Sequence, residues 1–282
     1  MLTRRLASPR QRRTILRRVR YAAILLILAV YLFPIFWVFS TSLKSLVDAF
    51  SIPPKLLFVP TLMNYVDVLP QADFLRLTLN SLLAAAGNTV LALAIGSLAA
   101  WGISRHRIGG QWLLLGVLGM RLIPVITIVI PIFLVFVELR LIDTYLTLPL
   151  AYLLINLPFV IWIMKAFIDD IPQEIEESAI LDGASTFSLL TRIVLPLALP
   201  GLIATSIFCF IFAWNELILA VVLTRVTAQT AMVGLTTLVS QDQAIGWGVI
   251  SAASMIIMAP PILLAVSLRG YLLRGLTAGA MK

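Results

Sequence analysis

Long runs of apolar residues dominate the pattern along the chain. Each run is about 20 residues or longer, the length that an α-helix needs to cross the hydrocarbon layer at about 1.5 Å per residue. The runs predict six membrane-spanning helices, at about 21–42, 78–103, 112–137, 147–167, 202–223 and 247–268. Apolar and polar residues do not alternate at the period of two that a membrane barrel requires. We therefore predict an all-α, polytopic membrane protein.

Predicted spans three and four each contain two prolines. Span three contains Pro124 and Pro131, and span four contains Pro149 and Pro158. Within a membrane, neighbouring helices can satisfy the backbone groups that a proline leaves free. The prolines therefore predict kinks and not the ends of spans.

Basic residues are concentrated on one side of the predicted spans. They lie in the tail before span one, in the loop between spans two and three, at the edges of the loop between spans four and five, and after span six. In that order they are Arg4, Arg5, Arg10, Arg12, Arg13, Arg17, Arg18 and Arg20; Arg105 and Arg107; Lys165 and Arg192; and Arg269, Arg274 and Lys282. By the positive-inside rule both termini are cytoplasmic. Residues 1–20 then form a cytoplasmic basic tail, and 21–282 form the transmembrane domain.

Composition excludes several classes of function. The chain is 61% hydrophobic and 12% charged, so water is not its main solvent. The net charge of +8 does not indicate a nucleic-acid partner, because the basic residues flank spans and face anionic lipid. His106 is the single histidine and Cys209 the single cysteine. With no nucleophile motif beside them, the sequence predicts neither a catalytic nor a metal site.

An acidic segment, residues 168–200, lies between predicted spans four and five. It holds six of the 13 acidic residues, namely Asp169, Asp170, Glu174, Glu176, Glu177 and Asp182. Asp169 or Asp170 can cap a short helix that has Pro172 in its first turn. Gly183 can end that helix, because glycine readily adopts the left-handed conformation of a C-cap.

A second short helix is expected directly after this turn. Ser185 or Thr186 can cap it, and Pro196 and Pro200 are expected to end it before span five. Its apolar stripe is Phe187, Leu190, Ile193 and Val194. The segment is thus predicted to be a helix, a tight turn and a helix across the cytoplasmic face.

The same segment resembles a known motif. Glu177-Ser178-Ala179, three residues, Gly183, nine residues and Ile193-Val194-Leu195-Pro196 fit the EAA loop of bacterial ABC importer permeases, written E-A-A, three residues, G, nine residues, I-x-L-P. Ser178 departs from the usual Ala but is also small. The run FAWNE at 212–216 and the tail RGLTAGAMK at 274–282 resemble carbohydrate-uptake permeases, in particular the shorter membrane subunit of maltose-type importers.

This resemblance implies a function and its partners. The chain would be a permease subunit, in a bacterial cytoplasmic membrane, of an ATP-driven importer for a sugar or polyol. Its partners would be a second, different permease, two cytoplasmic ATPase subunits and an extracytoplasmic solute-binding protein. The motif residues would couple ATPase motion to alternating access; they are Glu177, Ser178, Ala179, Asp182, Gly183, Ile193, Leu195 and Pro196. The chain lacks a G-x-x-x-x-G-K-[ST] loop, so ATP and Mg²⁺ are expected on the ATPase, with no cofactor on this chain.

Polar and aromatic residues within the spans are candidates for a solute path. They are Arg121, Asn156, Trp162, Trp214, Asn215 and Glu216. Arg121 can face a water-filled path, pair with Glu216, or extend towards the cytoplasmic edge. The others can bind solute hydroxyls or form hydrogen bonds between helices.

A secondary transporter and a membrane-embedded enzyme are the two alternative classes of function. A secondary transporter driven by an ion gradient would show internal repeats and buried carboxylates, and Glu216 is the only clear buried carboxylate. A membrane-embedded enzyme would need a catalytic cluster near a membrane face, and the sequence shows none. We therefore predict a transport subunit that is not an enzyme.

Overall fold

The computed structural model describes residues 9–70, 73–106, 108–240 and 246–270. These residues form helices and connecting segments, and no β-strand occurs among them. The predicted all-α class is confirmed. The described residues divide into two compact units, those within 1–68 and 242–255 and those within 69–241 and 256–282.

The first unit is built on one long helix. Its elements are α1 (Pro9–Ser42), α2 (Leu46–Ala49), α3 (Met63–Val68) and the first part of α15 (Trp247–Ser267), up to residue 255. Asn64 on α3 donates hydrogen bonds to the carbonyl oxygens of Ser42 and Lys44, both at 2.8 Å. These bonds satisfy carbonyls at and beyond the end of α1 and fix the chain where it leaves the helix.

The second unit contains the other helices. They are α4 (Phe74–His106), α5 (Gly110–Met120), α6 (Val125–Glu138), α7 (Thr147–Ala151), α8 (Leu153–Asp169), α9 (Gln173–Leu181), α10 (Thr186–Leu189), α11 (Leu195–Leu197), α12 (Leu199–Trp214), α13 (Ile218–Leu223), α14 (Ala231–Ser240) and the rest of α15. A π-helical segment, Leu190–Val194, joins α10 to α11.

Helices α4, α8 and α12 pack together at the centre of the second unit. Gly96 on α4 permits a close approach, because a Cβ atom there would lie 2.5 Å from a methyl carbon of Val160 on α8. Apolar residues near one end of these helices, among them Trp101, Met164 and Ile168, form a buried cluster with Leu190 and Val194. This cluster joins the acidic segment to the packed helices.

Three helices of the described chain are long and apolar enough to cross a bilayer: Leu16–Ser42 within α1, α4 and α15. Two bent pairs, Trp112–Met120 with Val125–Glu138 and Thr186–Leu197 with Leu199–Trp214, would raise the number to five. The first pair bends by 90° just before α6, whose N-cap is Pro124, which confirms the kink expected in predicted span three.

Predicted span five is wrong as a continuous helix. The run 202–223 is divided between α12 and α13, and residues 215–217 break it. The carboxylate of Glu216 accepts hydrogen bonds from the backbone N–H groups of Ile218 and Leu219 at 3.1 and 2.9 Å. A side chain that binds the first N–H groups of the next helix starts a new helix there.

Asp143, in the connection between α6 and α7, fixes the connection that follows α13. Its carboxylate accepts hydrogen bonds from the backbone N–H groups of residues 225, 226, 227 and 228, at 2.9 to 3.1 Å. Partial burial alone would raise the pKa of Asp143, but these four donors outweigh it and lower the pKa to about 2. The carboxylate therefore stays ionised and holds two distant connections together.

Candidate functional site

The tight turn of the acidic segment has the predicted geometry. Helix α9 ends at Leu181, and Gly183 has a φ of +86°. The N–H of Ala184 donates to the carbonyl of Ala179 at 2.9 Å, and that of Gly183 to the carbonyl of Ile180 at 3.0 Å. The C-cap prediction is confirmed. A Cβ at Gly183 would meet nothing within 4 Å, so backbone conformation alone favours glycine there.

The prediction for the start of α9 is wrong. Pro172 occupies the N-cap position and no side chain caps the helix. Asp169 is instead the last residue of α8, where its carboxylate binds Lys165 Nζ at 2.6 Å and Ser104 Oγ at 2.5 Å. These side-chain partners hold Asp169 away from the N–H groups of α9.

The second short helix begins as predicted, but its end differs. Ser185 Oγ accepts a hydrogen bond from the N–H of Ser188 at 3.3 Å, which confirms the cap at α10. Pro196 does not end the helical course, because it lies in the first turn of α11, where a missing N–H costs little. The chain turns at Ala198 and α12 begins, and the helical axis bends by 79° between the two parts.

The predicted apolar stripe of this helix divides between core and surface. Leu190 and Val194 are buried in the cluster with Trp101 and Ile168, and Ile193 packs at its edge. Phe187 is instead 76% exposed. The buried residues anchor the segment, so they are not available to another protein.

Exposed apolar and acidic residues lie around the Gly183 turn. Leu181 is 88% exposed and Ile180 is 56% exposed, and the side chains of Glu177 and Asp182 are also at the surface. We call Glu177, Ile180, Leu181, Asp182 and Phe187 the turn surface. Large apolar side chains beside carboxylates on a short rigid element are typical of a surface that another protein covers.

A buried ion pair that sequence reasoning missed fixes α9 to α4. Glu176 is 5% exposed, and its carboxylate accepts hydrogen bonds from Arg105 Nε at 2.6 Å and Trp101 Nε1 at 3.0 Å. Arg105 Nη2 also donates to the carbonyls of Ile168 and Ile171 at 2.8 Å. One guanidinium thus joins the end of α4, the end of α8 and the start of α9.

No local pattern pairs these two residues, since 71 positions separate them. In the sequence, Arg105 indicates membrane topology, and Glu176 is one carboxylate of an acidic run. The usable signal was that a buried arginine or glutamate needs a partner.

The candidates for the solute path do not form one cluster. The guanidinium of Arg121 lies over the rings of Phe159 and Phe212, at 4.7 and 4.8 Å from their centroids. It does not pair with Glu216, since that carboxylate caps α13. The suggested pairing of Arg121 with Glu216 is therefore wrong, and cation–π contact replaces it.

Asn156 and Trp214 make contacts between helices. Asn156 Nδ2 donates to Asn88 Oδ1 at 2.5 Å and to the carbonyl of Cys209 at 3.0 Å, which joins α8 to α4 and α12. Trp214 Nε1 donates to the carbonyl of Ile257 on α15 at 3.1 Å. Both side chains are buried, whereas Trp162 and Asn215 are exposed. Among the described residues, no group of three His, Cys, Asp or Glu side chains is placed to hold a metal ion.

Comparison with known proteins gives consistent results. Residues 92–278 match the family model described as binding-protein-dependent transport system inner membrane component. The chain is 35% identical to a probable ABC transporter permease protein of Sinorhizobium fredii, y4oR, over 90% of this chain and 91% of the relative. It is 34% identical to the trehalose/maltose transport system permease protein MalG of Thermococcus litoralis, over 96% and 99% of the two chains.

A solved structure has the same fold. It belongs to a bacterial ABC transporter involved in the import of the acidic polysaccharide alginate. The TM-score is 0.75 at 20% identity, and the match covers 94% of this chain and 98% of the other.

Proposed function

Because the chain belongs to the family of binding-protein-dependent transport system inner membrane components, we propose that it is the permease subunit of an ATP-driven importer for a sugar or polyol. The carbohydrate class is supported by the trehalose/maltose permease, which aligns over nearly all of both chains. The observation that carries the coupling role is the turn surface, which lies on a short helix fixed to α4 by the Glu176–Arg105 pair.

In this proposal the turn surface docks on a cytoplasmic ATPase. Leu181 and Phe187 enter an apolar cleft, and Glu177 and Asp182 meet basic groups at its rim. ATP and Mg²⁺ are bound by two such ATPases, and this chain binds no cofactor. A second permease and an extracytoplasmic solute-binding protein complete the importer.

The buried network transmits the movement. When the ATPases close, α9 is displaced, and the Glu176–Arg105 ion pair passes that displacement to α4 and α8. Ser178, Ala179, Ile193, Leu195 and Pro196 keep the two halves of the segment at a fixed angle. Breaking a buried pair of this kind costs about 3–5 kcal/mol, so the connection is stiff enough to act as a lever.

We further propose six spans with both termini in the cytoplasm of a bacterium. Spans one, two and six would be formed by α1, α4 and α15, span three by α5 with α6, span four by α7 with α8, and span five by α12 with α13. The basic residues 1–20 would then lie at the cytoplasmic surface. The transmembrane domain would extend over 21–282.

The solute path is proposed to pass the break between α12 and α13. Irregular backbone at membrane depth is stable only where protein buries it or where it lines a water-filled cavity. Asn215 lies in this break and is exposed, and Glu216 follows it. Asn215 and Glu216 are therefore more accessible to a solute than Asn156 and Trp214, which are buried between helices.

The coupling role is tested with Glu177→Lys and Gly183→Asp in the complete importer. Both variants are expected to stay in the membrane but to lose most ATP-dependent uptake and to retain less ATPase on purification. Glu138→Lys is the matched control, since Glu138 is an exposed carboxylate at the end of α6. Wild-type uptake and ATPase retention in both loop variants would refute the coupling role.

A further inference from the structure

A cavity in the first unit is lined in part by polar side chains that form no hydrogen bond or ion pair with another described residue. Its volume is about 400 Å³, which lies within the range of small-ligand sites. The cavity is lined by the end of α1, by the segment that follows it and by the first turns of α15. The lining residues include Trp37, Thr41, Lys44, Trp247 and Ser251.

Lys44 is the charged group of this cavity and is only 3% exposed. Its ammonium lies 5.0 Å from the ring centre of Trp37 and 5.3 Å from that of Phe58. Within the described part of the chain it forms no ion pair. The nearby Asp48 binds Lys55 Nζ at 2.6 Å and interacts with Lys44 only at longer range. Aromatic faces lower the cost of burying a cation, but they do not use its N–H donors as an anion would.

Two hydroxyl groups on the cavity wall are also free to donate. Thr41 and Ser251 are each 8% exposed, and neither side chain forms a hydrogen bond with another described residue. Both hydroxyl groups lie on the cavity wall, where water or a ligand can accept their hydrogen bonds. Together with the ammonium of Lys44 they place three groups that can donate hydrogen bonds on the cavity wall, the arrangement expected for an oxygen-rich anion.

The position of the cavity relative to the membrane surface indicates the source of such an anion. One end of α1 and the first turn of α15 border the same cavity, so these two ends lie on one side of the membrane. Trp37 and Trp247 are near those ends, and tryptophan is enriched where the hydrocarbon layer meets the headgroups. This step depends on the proposed membrane placement of α1 and α15, and not on transport.

We propose that this cavity binds the phosphate group of an anionic phospholipid, with Lys44 as its counter-ion and Thr41 and Ser251 as hydrogen-bond donors. A glycerol-type headgroup suits the site, because a choline or ethanolamine headgroup would bring a second cation to Lys44. With both termini in the cytoplasm, the lipid belongs to the outer leaflet.

The test is a binding titration by native mass spectrometry on the purified complete importer. Dihexanoyl phosphatidylglycerol is the probe, dihexanoyl phosphatidylcholine tests the headgroup charge, and glycerol 3-phosphate tests a soluble source. The variants are Lys44→Gln and Lys44→Arg. Arg140→Gln is the control, since it removes one exposed cation of the second unit.

We expect phosphatidylglycerol to bind wild type, Lys44→Arg and Arg140→Gln with similar affinity, and Lys44→Gln roughly tenfold or more weakly, as for loss of one charge-assisted contact. Phosphatidylcholine and glycerol 3-phosphate should bind wild type no more tightly than phosphatidylglycerol binds Lys44→Gln. Equal binding to wild type and Lys44→Gln would overturn the site. Glycerol 3-phosphate binding as tightly as the lipid would overturn the lipid source.

A second pair of variants covers the case in which Lys44→Gln does not assemble. Thr41→Val and Ser251→Ala keep the charge and the approximate volume but remove one donor each. Each should weaken phosphatidylglycerol binding several-fold while the importer keeps its melting temperature. Unchanged binding in both variants would contradict the assignment.

Discussion

Two buried charged side chains, one in each unit, differ in their partners. Glu176 in the acidic segment meets Arg105 at 2.6 Å, with both side chains at least nine-tenths buried. Lys44 in the first unit is equally buried but meets aromatic rings and no carboxylate among the described residues. A paired buried charge joins helices into one rigid body, whereas an unpaired one leaves binding capacity for a ligand. We therefore propose different functions for the two regions, although each buries a charged side chain.

Breaking the pair should produce the largest effect. Arg105→Met leaves the Glu176 carboxylate buried without its partner, so we expect a loss of about 3–5 kcal/mol in stability. Thermal melting of the purified importer measures this loss, and ATP-dependent uptake should fall with it. The double variant Arg105→Met/Glu176→Leu should recover most of the stability but not the uptake. If Arg105→Met has the same melting temperature as wild type, the Glu176–Arg105 ion pair does not fix α9 to α4.

A variant of the Gly183 turn tests the coupling role of α9 and leaves the Glu176–Arg105 ion pair intact. Gly183→Ala places a Cβ on a residue with a φ of +86°, which costs roughly 1–2 kcal/mol. No neighbouring atom clashes, so the effect should be confined to the turn. We expect fewer solute molecules imported per ATP hydrolysed. Gly116→Ala in α5, where a Cβ also has open space, should leave this ratio unchanged.

Asp143 shows a third way to hold a charge, with backbone donors in place of a side chain or ligand. Its pKa of about 2 lies below the ordinary 3.8, so its stabilisation is fully present above pH 3.8 and is lost as pH falls through 2. Asp143→Asn should cost roughly 1 kcal/mol at pH 7. The difference in melting temperature between variant and wild type should shrink between pH 4 and pH 2. A difference that does not vary with pH would exclude the ionised carboxylate as its cause.

The smallest effect on stability is expected at the turn surface. Leu181→Ala changes a side chain that is 88% exposed, so the melting temperature of the permease should shift by less than the equivalent of about 0.5 kcal/mol. Binding of the ATPase should nevertheless weaken, because the proposal places Leu181 in its cleft. Leu57→Ala, at a residue 93% exposed in the first unit, is the control and should leave ATPase binding unchanged. Equal ATPase affinity in both variants would remove Leu181 from the docking surface.

Local chemistry made part of this structure predictable. The Gly183 turn and the Ser185 cap follow from the conformational freedom of glycine and the hydroxyl of serine, both of which act within a few residues. The positions of the long helices follow from hydrophobic runs. The break at 215–217 was missed because the apolar run continues beyond it, although Asn215 and Glu216 mark the place.

Contacts between distant residues were not predictable in this way. Glu176 and Arg105 come from elements 71 positions apart, and Asp143 binds a connection more than 80 positions away. The cavity around Lys44 likewise combines residues from both ends of the chain. In each case the sequence shows a charge, and only the packing shows which groups surround it.

In the proposed function, ATP drives this permease through a separate ATPase. The most direct measurement is solute uptake into vesicles that contain the complete importer, with and without ATP and with every ion gradient dissipated. We expect uptake to require ATP and the ATPase subunits and to persist without any gradient. Uptake that follows an ion gradient in vesicles containing this chain without an ATPase would contradict the claim and establish a secondary transporter.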